Sequence, residues 1–100
     1  MTIHELREKS LLSNKPQAAA VFHGKPCRIT LIHLPKGGSL PSHVSNSEAL
    51  LIVVQGSLNY NCNGDSTLLS SLGEQYIPPK VVHDLEAVEN SVCILLKQFE

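Results

Sequence analysis

The sequence predicts an all-β sandwich or barrel. Runs of about five to eight apolar and β-branched residues follow one another from residue 18 onward, and turn residues separate them every eight to twelve positions or so. No long helical pattern interrupts this series. One hundred residues suffice for one compact unit with one core, so we expect a single domain over residues 1–100.

The first elements are a short helix and a hairpin. Residues 4–12 contain good helix formers with a weak apolar stripe, which predicts a helix or turn that ends before Pro16. Residues 18–23 and 28–34 then read as two strands, joined by a turn at residues 24–26.

The rest of the chain is predicted to be strands and tight turns. Residues 49–54 form a continuous apolar run, which indicates a strand buried in its sheet. Asn63-Gly64 is the strongest hairpin signal and fits a type I′ turn. The predicted strands after residue 34 cover residues 40–44, 48–54, 57–62, 66–70, 75–77, 83–88 and 91–99.

Charge and composition exclude several classes of partner. The formal net charge is −1 and 17% of residues are charged, so there is no electrostatic footprint for nucleic acid or an anionic membrane. No segment approaches the ~20 apolar residues of a membrane span, and we expect a cytoplasmic protein. Cys27, Cys62 and Cys93 lie far apart without a C-x-x-C pair, which favours three reduced, packed thiols over disulfides.

Three potential metal ligands lie at predicted strand ends. His43 ends one strand, Glu48 opens the next, and His83 shares a strand face with the apolar Leu85. Two imidazoles and a carboxylate are ligands of non-haem iron, and they also hold Zn, Mn or Ni. A buried imidazole can instead be satisfied by a hydrogen bond, so the residues alone leave both interpretations open.

Two segments around these residues resemble the paired motifs of the cupin superfamily. The first motif there reads G-x5-H-x-H-x3,4-E-x6-G, and the second reads G-x5-P-x-G-x2-H-x3-N. In this chain the first spans about residues 37–56 and appears as Gly37, His43, Ser45, Glu48 and Gly56. The second spans about residues 73–87 and appears as Gly73, Pro78, Lys80, His83 and Ala87.

The chain departs from these motifs at the positions that matter for metal binding. Ser45 stands where the motif has its second histidine, and a neutral hydroxyl is a weak ligand. Seven residues instead of six separate Glu48 from Gly56. Lys80 replaces the turn glycine of the second motif.

The resemblance implies a cupin-type double-stranded β-helix, or jelly-roll barrel, with a reduced site of His43, Glu48 and His83 in its mouth. Such a site would hold a divalent transition metal (Fe, Zn, Mn or Ni), and the metal can also be absent. His33 is a candidate substitute ligand, although a hydrogen-bonded core histidine is the favoured interpretation. Small cupins commonly pair their subunits, so we expect a homodimer.

Three functions remain open from the sequence. The first is a metal-binding protein, in one form an enzyme, that acts on a small polar molecule. The second is a non-catalytic ligand-binding or sensor protein with a degenerate metal site, and the third is a structural or interaction role as a homodimer without a ligand. Because Arg7 and Arg28 are the only arginines, a highly charged substrate is not expected. No residue pattern identifies the substrate.

Overall fold

A computed structural model describes residues 3–11, 15–23 and 27–98. Within these residues one helix precedes nine strands, which confirms the all-β prediction. The elements are α1 (Ile3–Leu11), β1 (Gln17–His23), β2 (Cys27–Leu34), β3 (Ser39–His43), β4 (Ala49–Gln55), β5 (Ser57–Cys62), β6 (Asp65–Ser70), β7 (Glu74–Ile77), β8 (His83–Ala87) and β9 (Ser91–Gln98).

The strands form two antiparallel sheets that pack face to face. One sheet has five strands in the order β1-β2-β9-β4-β7, and the other has four in the order β3-β8-β5-β6. The chain crosses repeatedly between the two sheets, as in a jelly roll, and only the hairpins β1–β2 and β5–β6 keep consecutive described strands in one sheet. No helix among the described residues is long and apolar enough to cross a membrane.

The core lies between the sheets and shows which face of each strand points inward. Side chains in a strand alternate between its two faces, so each buried core residue fixes the inward parity of its strand. The core residues are Ile32, Leu34, Leu51, Val53, Leu58, Tyr60, Leu69, Ile77, Leu85, Ala87 and Cys93. On β4 the inward positions are therefore 49, 51 and 53.

Helix α1 covers part of the outer face of the five-stranded sheet. It packs against β1 and β2. Leu6 of the helix is buried, as is Leu31 of β2, although neither belongs to the core between the sheets. Burying these two leucines away from water fixes the helix on the sheet.

The predicted turn at Asn63-Gly64 is present, whereas the turn predicted at residues 24–26 lies outside the described residues. Asn63 and Gly64 join β5 to β6 with φ angles of 53° and 82°, and two consecutive positive φ angles define the predicted type I′ turn. Gly56 joins β4 to β5 with a φ of 91°.

Candidate functional site: a histidine pair at the barrel mouth

Two of the predicted site residues meet at one end of the sandwich, which we call the barrel mouth. His43 at the end of β3 and His83 at the start of β8 are register partners in the four-stranded sheet. Their ring centroids lie 4.2 Å apart with planes at 61°. His83 is buried, whereas His43 is exposed, so the pair has one ring inside the barrel and one at its rim.

Backbone hydrogen bonds fix the tautomer of both rings. His43 Nδ1 lies 3.0 Å from the Pro41 carbonyl oxygen, and His83 Nδ1 lies 3.0 Å from the Val81 carbonyl oxygen. A carbonyl oxygen only accepts, so each Nδ1 carries the hydrogen and donates it. When the ring is neutral, its other nitrogen, Nε2, carries a lone pair and no hydrogen. Anchoring Nδ1 in this way orients Nε2, which can then bind a metal or accept a hydrogen bond.

Burial keeps His83 in this neutral form. Burial lowers the pKa of His83, and the charges of His43 and Lys97 lower it further, while the Val81 bond and Asp84 act in the opposite direction. At neutral pH the ring therefore presents a lone pair and not a proton at Nε2.

Tyr60 and Cys62 complete the inner side of the mouth on β5. The Tyr60 ring centroid is 5.7 Å from that of His83, and Cys62 is the register partner of His83 on β5. Burial raises the pKa of Tyr60 to about 12, with a further contribution from its hydrogen bond with Cys62. The phenol is thus a neutral hydroxyl beside the imidazole.

Glu48 does not join the two histidines. Strand β4 begins at Ala49, whose parity points inward, and the Glu48 carboxylate accepts a 2.8 Å hydrogen bond from the Tyr76 hydroxyl. This bond is the main reason that the pKa of Tyr76 is raised. Among the described residues no three His, Cys, Asp or Glu side chains form a group that could hold a metal ion. The role of Glu48 as a metal ligand stays a prediction.

The spacing of the first motif contains the signal for this difference. The pattern E-x6-G leaves six residues between its glutamate and Gly56, so the ligand position is residue 49, which is alanine. Because strand faces alternate, a shift of one residue moves a side chain to the other face of its sheet. Glu48 therefore lies one position before residue 49, the first of the inward-facing positions of β4.

Ser45 is occupied by a local turn. Strand β3 ends at His43, and Ser45 Oγ accepts a 3.2 Å hydrogen bond from the Ser47 amide. The Ser45 carbonyl accepts a 2.7 Å bond from the Lys80 amide, and Lys80 holds a left-handed φ of 61°. Lys80 therefore adopts the backbone that the motif glycine supplies, at a steric cost of about 1–2 kcal/mol.

His33 lies away from the mouth. It has the opposite parity to the core residues Ile32 and Leu34, so it points to the outer face of the five-stranded sheet. The side chain is buried, which lowers its pKa, and its Nδ1 has no hydrogen-bond partner among the described residues. His33 is not placed to complete a site with His43 and His83.

Two clefts flank the mouth. A cleft of about 420 Å³ is lined by Ser42, Asn61, Cys62, Asn63, Gly64, Val82, His83 and Asp84. A second cleft of about 370 Å³ is lined by Cys27, Glu48, Ala49, Leu50, Tyr76, Leu96, Lys97 and Gln98. In the first cleft the His83 ring lies among polar side chains. Both cleft volumes suit a small molecule.

Solved structures share this architecture. The chain folds as a jelly roll of two antiparallel sheets with a polar mouth. This is the cupin fold. The chain superposes on a cupin superfamily protein from Desulfitobacterium hafniense with a TM-score of 0.83 and 14% identity, over 88% of this chain and 81% of that one. An RmlC-like cupin from Shewanella frigidimarina superposes with a TM-score of 0.81 at 17% identity, over 89% of this chain and 80% of that one.

A third similar structure has a double-stranded β-helix domain. The uncharacterized conserved protein with a double-stranded β-helix domain from Klebsiella pneumoniae gives a TM-score of 0.79 at 22% identity, over 86% of this chain and 79% of that one. The sequence matches no protein-family model and no curated protein. The predicted cupin resemblance is confirmed at the level of fold.

Proposed function

We propose that this cupin-fold protein binds a small molecule at the barrel mouth through the Nε2 atoms of His43 and His83. The observation that supports this function is the pair of Nδ1 bonds to backbone carbonyls, which orient one buried and one exposed imidazole and leave Nε2 as the ring nitrogen that each can offer to a ligand. A neighbouring phenol, Tyr60, adds a donor on the inner side. Function is assigned here from the site, since the fold supports many activities.

The two imidazoles fit a divalent transition metal, whereas the carboxylate of Glu48, the third ligand that the resemblance implies, is hydrogen-bonded by Tyr76. Imidazole nitrogen suits Zn, Ni, Cu and Fe, and both rings already have the anchored Nδ1 that metal-binding histidines require. Glu48 contributes its carboxylate to Tyr76 instead. We therefore propose that any metal is held by His43 and His83 alone, with solvent and the bound molecule as the other ligands; when bound, it would act as a Lewis acid.

A metal titration with four variants tests this proposal. Competition titrations with Zn²⁺ or Ni²⁺ would compare the wild type with His43→Ala, His83→Ala and Glu48→Gln. Removing either imidazole should weaken binding by at least about 10-fold, because one of two protein ligands is lost. Glu48→Gln should leave the affinity unchanged. His4→Ala is the matched control, since His4 is an exposed histidine on α1.

Two outcomes would contradict the proposal in different ways. A large loss of affinity in Glu48→Gln would restore the three-ligand site predicted from the sequence, and with it the metal-dependent function. Wild-type affinity in the double variant of His43 and His83 would place the metal elsewhere. Circular dichroism of each variant should keep its β-rich spectrum, so that loss of binding is not loss of fold.

A further inference from the structure

Three of the four edge strands carry features that discourage pairing with another chain. The edges among the described strands are β1 and β7 of the five-stranded sheet and β3 and β6 of the four-stranded sheet. The register of β1 with β2 shifts after Ala20, and β3 contains both a register shift and Pro41. Strand β7 has only four residues and begins at the exposed Glu74. Bulges, proline, short length and charge all protect sheet edges in natural proteins.

Strand β6 has only one of these features, a charge at its first residue, Asp65. Its six residues pair with β5 in unbroken register and include neither proline nor lysine. All of them except the core residue Leu69 are exposed, and Leu68 on the outer face is 61% exposed. Thr67 is exposed although it has the inward parity of Leu69, so the barrel is open to solvent beside this edge.

The backbone groups of Ser66 and Leu68 face the free edge of β6. Ser57 and Ser70 are register partners on β5 and β6. The Ser57 carbonyl accepts bonds of 3.0 and 3.2 Å from two amides of the loop after β8, and the Ser70 carbonyl accepts a 2.8 Å bond from the Gly73 amide. These two serines are therefore not a hydrogen-bonded pair. Because bonded and non-bonded pairs alternate along an antiparallel ladder, Ser66 and Leu68 also direct their N–H and C=O groups away from β5. Among the described residues nothing donates to or accepts from these groups.

The strands of the four-stranded sheet carry negative charge. They contain the carboxylates of Asp65, Asp84 and Glu86 and no lysine or arginine. Asp84 and Glu86 lie on the outer face, in the same cross-strand rows as Ser66 and Leu68 respectively. A strand added at β6 would continue these rows, at about 14 Å or three strand spacings from β8. A second copy of the chain would bring a second set of carboxylates to this edge, so the charge favours a basic partner.

We propose that β6 binds an extended, basic peptide segment of a partner protein, which adds a fifth strand to the four-stranded sheet. The N–H and C=O groups of Ser66 and Leu68 would bond the peptide backbone. Lysine or arginine side chains at alternate positions would extend over the outer face, with their stems on Leu68 and their charges towards the carboxylates. Small apolar side chains at the positions between would lie beside Thr67 and Leu69. Neither histidine of the barrel mouth takes part, so this interaction goes beyond the proposed function and is independent of it.

Two synthetic peptides test the charge of the partner. One alternates lysine and valine over about ten residues, enough to cover a strand, and the other has glutamate in place of lysine. Binding to the intact protein would be followed by the fluorescence anisotropy of the labelled peptide. We expect the lysine peptide to bind at least about tenfold more tightly at low ionic strength. The difference should shrink at about 0.5 M salt, because the screening length then falls well below the distance to the carboxylates.

Hydrogen exchange shows which backbone groups the peptide uses. With the lysine peptide bound, NMR should show slower exchange at the Ser66 and Leu68 amides, which face the edge. The amides of Thr67 and Leu69 point towards β5 and should exchange slowly with or without the peptide. This pattern tests the added strand in the wild-type protein, without any substitution.

A proline at the edge removes one of the two donors. Leu68→Pro should weaken binding of the lysine peptide by at least about tenfold, because it removes an N–H group and blocks the approach of a neighbouring strand. Proline is compatible with an edge strand where its nitrogen faces solvent, and circular dichroism should confirm the β-rich fold. Leu68→Val is the matched control, since it keeps the N–H group and an apolar side chain, and it should bind as the wild type does.

Several results would overturn the proposal. Equal affinity for the lysine and glutamate peptides would contradict the charge preference, and absence of binding by both would contradict the docking edge. Peptide binding without slower exchange at Ser66 and Leu68, or unchanged in a folded Leu68→Pro, would place the peptide elsewhere. Slower exchange at these two amides on raising the protein concentration without peptide would assign the edge to a second copy of the chain.

Discussion

Replacing Gly56 by alanine should destabilise the protein strongly, because this glycine is the tightest backbone contact of the β4–β5 turn. A Cβ at residue 56 would lie 2.2 Å from the Asn90 carbonyl oxygen, 2.6 Å from Ser91 Oγ and 2.8 Å from Ser91 Cα. Ordinary contacts begin at 3.4 Å. The turn must therefore separate from Asn90 and Ser91 by more than an ångström, or the residues must distort.

The cost follows from two terms. The positive φ of 91° costs an alanine about 1–2 kcal/mol. The shift also disturbs Ser91, a fully buried side chain whose hydroxyl donates at 2.9 Å to Ser57 or Glu89 carbonyls, and an unsatisfied buried group costs about 1–3 kcal/mol. The sum is about 2–5 kcal/mol. For a chain of this size that lowers Tm by roughly 8–40 °C, at about 4–8 °C per kcal/mol.

Thermal unfolding followed by circular dichroism measures this loss, with Gly64→Ala as the control. Gly64 has a similar φ of 82° but no atom within 4 Å of an added Cβ, so it should lose only the backbone term. Equal decreases in Tm for the two variants would refute the steric part of the argument. An unchanged Tm in Gly56→Ala would refute the described turn itself.

Four further predictions concern the site and the surface. Ala49→Glu should place a carboxylate on the inner face beside the histidine pair and raise Zn²⁺ affinity by more than about 10-fold in competition titrations; no gain would contradict the inward parity of β4. The folded state should lose stability as pH falls below about 6.5, because burial lowers the pKa of His33 and His83 and folding therefore disfavours their protonation. The urea midpoint should be lower at about pH 5 than at about pH 7.5, and His33→Gln should make this difference smaller. Cys93 is fully buried and burial raises its pKa to about 12, so a thiol reagent should modify it only after unfolding, and rapid labelling of this cysteine in the native protein would contradict the packing. The homodimer expected from the sequence is proposed to form on the outer face of the five-stranded sheet; light scattering should give twice the chain mass, Leu96→Glu should give the monomer, and a monomer mass for the wild type at micromolar concentration would reject the dimer.

Most of the fold could be predicted because the strand signals are local. Residues 57–62 alternate polar and apolar side chains and end in Asn63-Gly64, so β5 and its hairpin have the predicted bounds. Where the signal was a continuous apolar run, at residues 49–54, the sequence did not show which side chains point inward. An apolar run fits both faces of a buried strand, and the one-residue difference between Glu48 and Ala49 was decided by sheet register.

The site was partly predictable for the same reason. His43 and His83 lie at strand ends with polar neighbours, and their motif spacing placed them together. The inward parity of Lys97 was not predicted, since a lysine near the end of an apolar strand usually lies at the surface. Only its partners Arg28 and Ala49, residues distant in the chain, show that it has the inward parity.

The position of β9 in the centre of the five-stranded sheet has a consequence for how the chain folds. Residues 91–98 pair with β2, about sixty residues earlier, and with β4 on the other side. Until these residues have been synthesised, neither of those strands has its native neighbour there, and their apolar edges stay open. Pairings of such long sequence separation slow folding, and exposed strand edges favour aggregation while they wait. Strand β9 should thus be the strand whose synthesis on the ribosome determines when the five-stranded sheet can close.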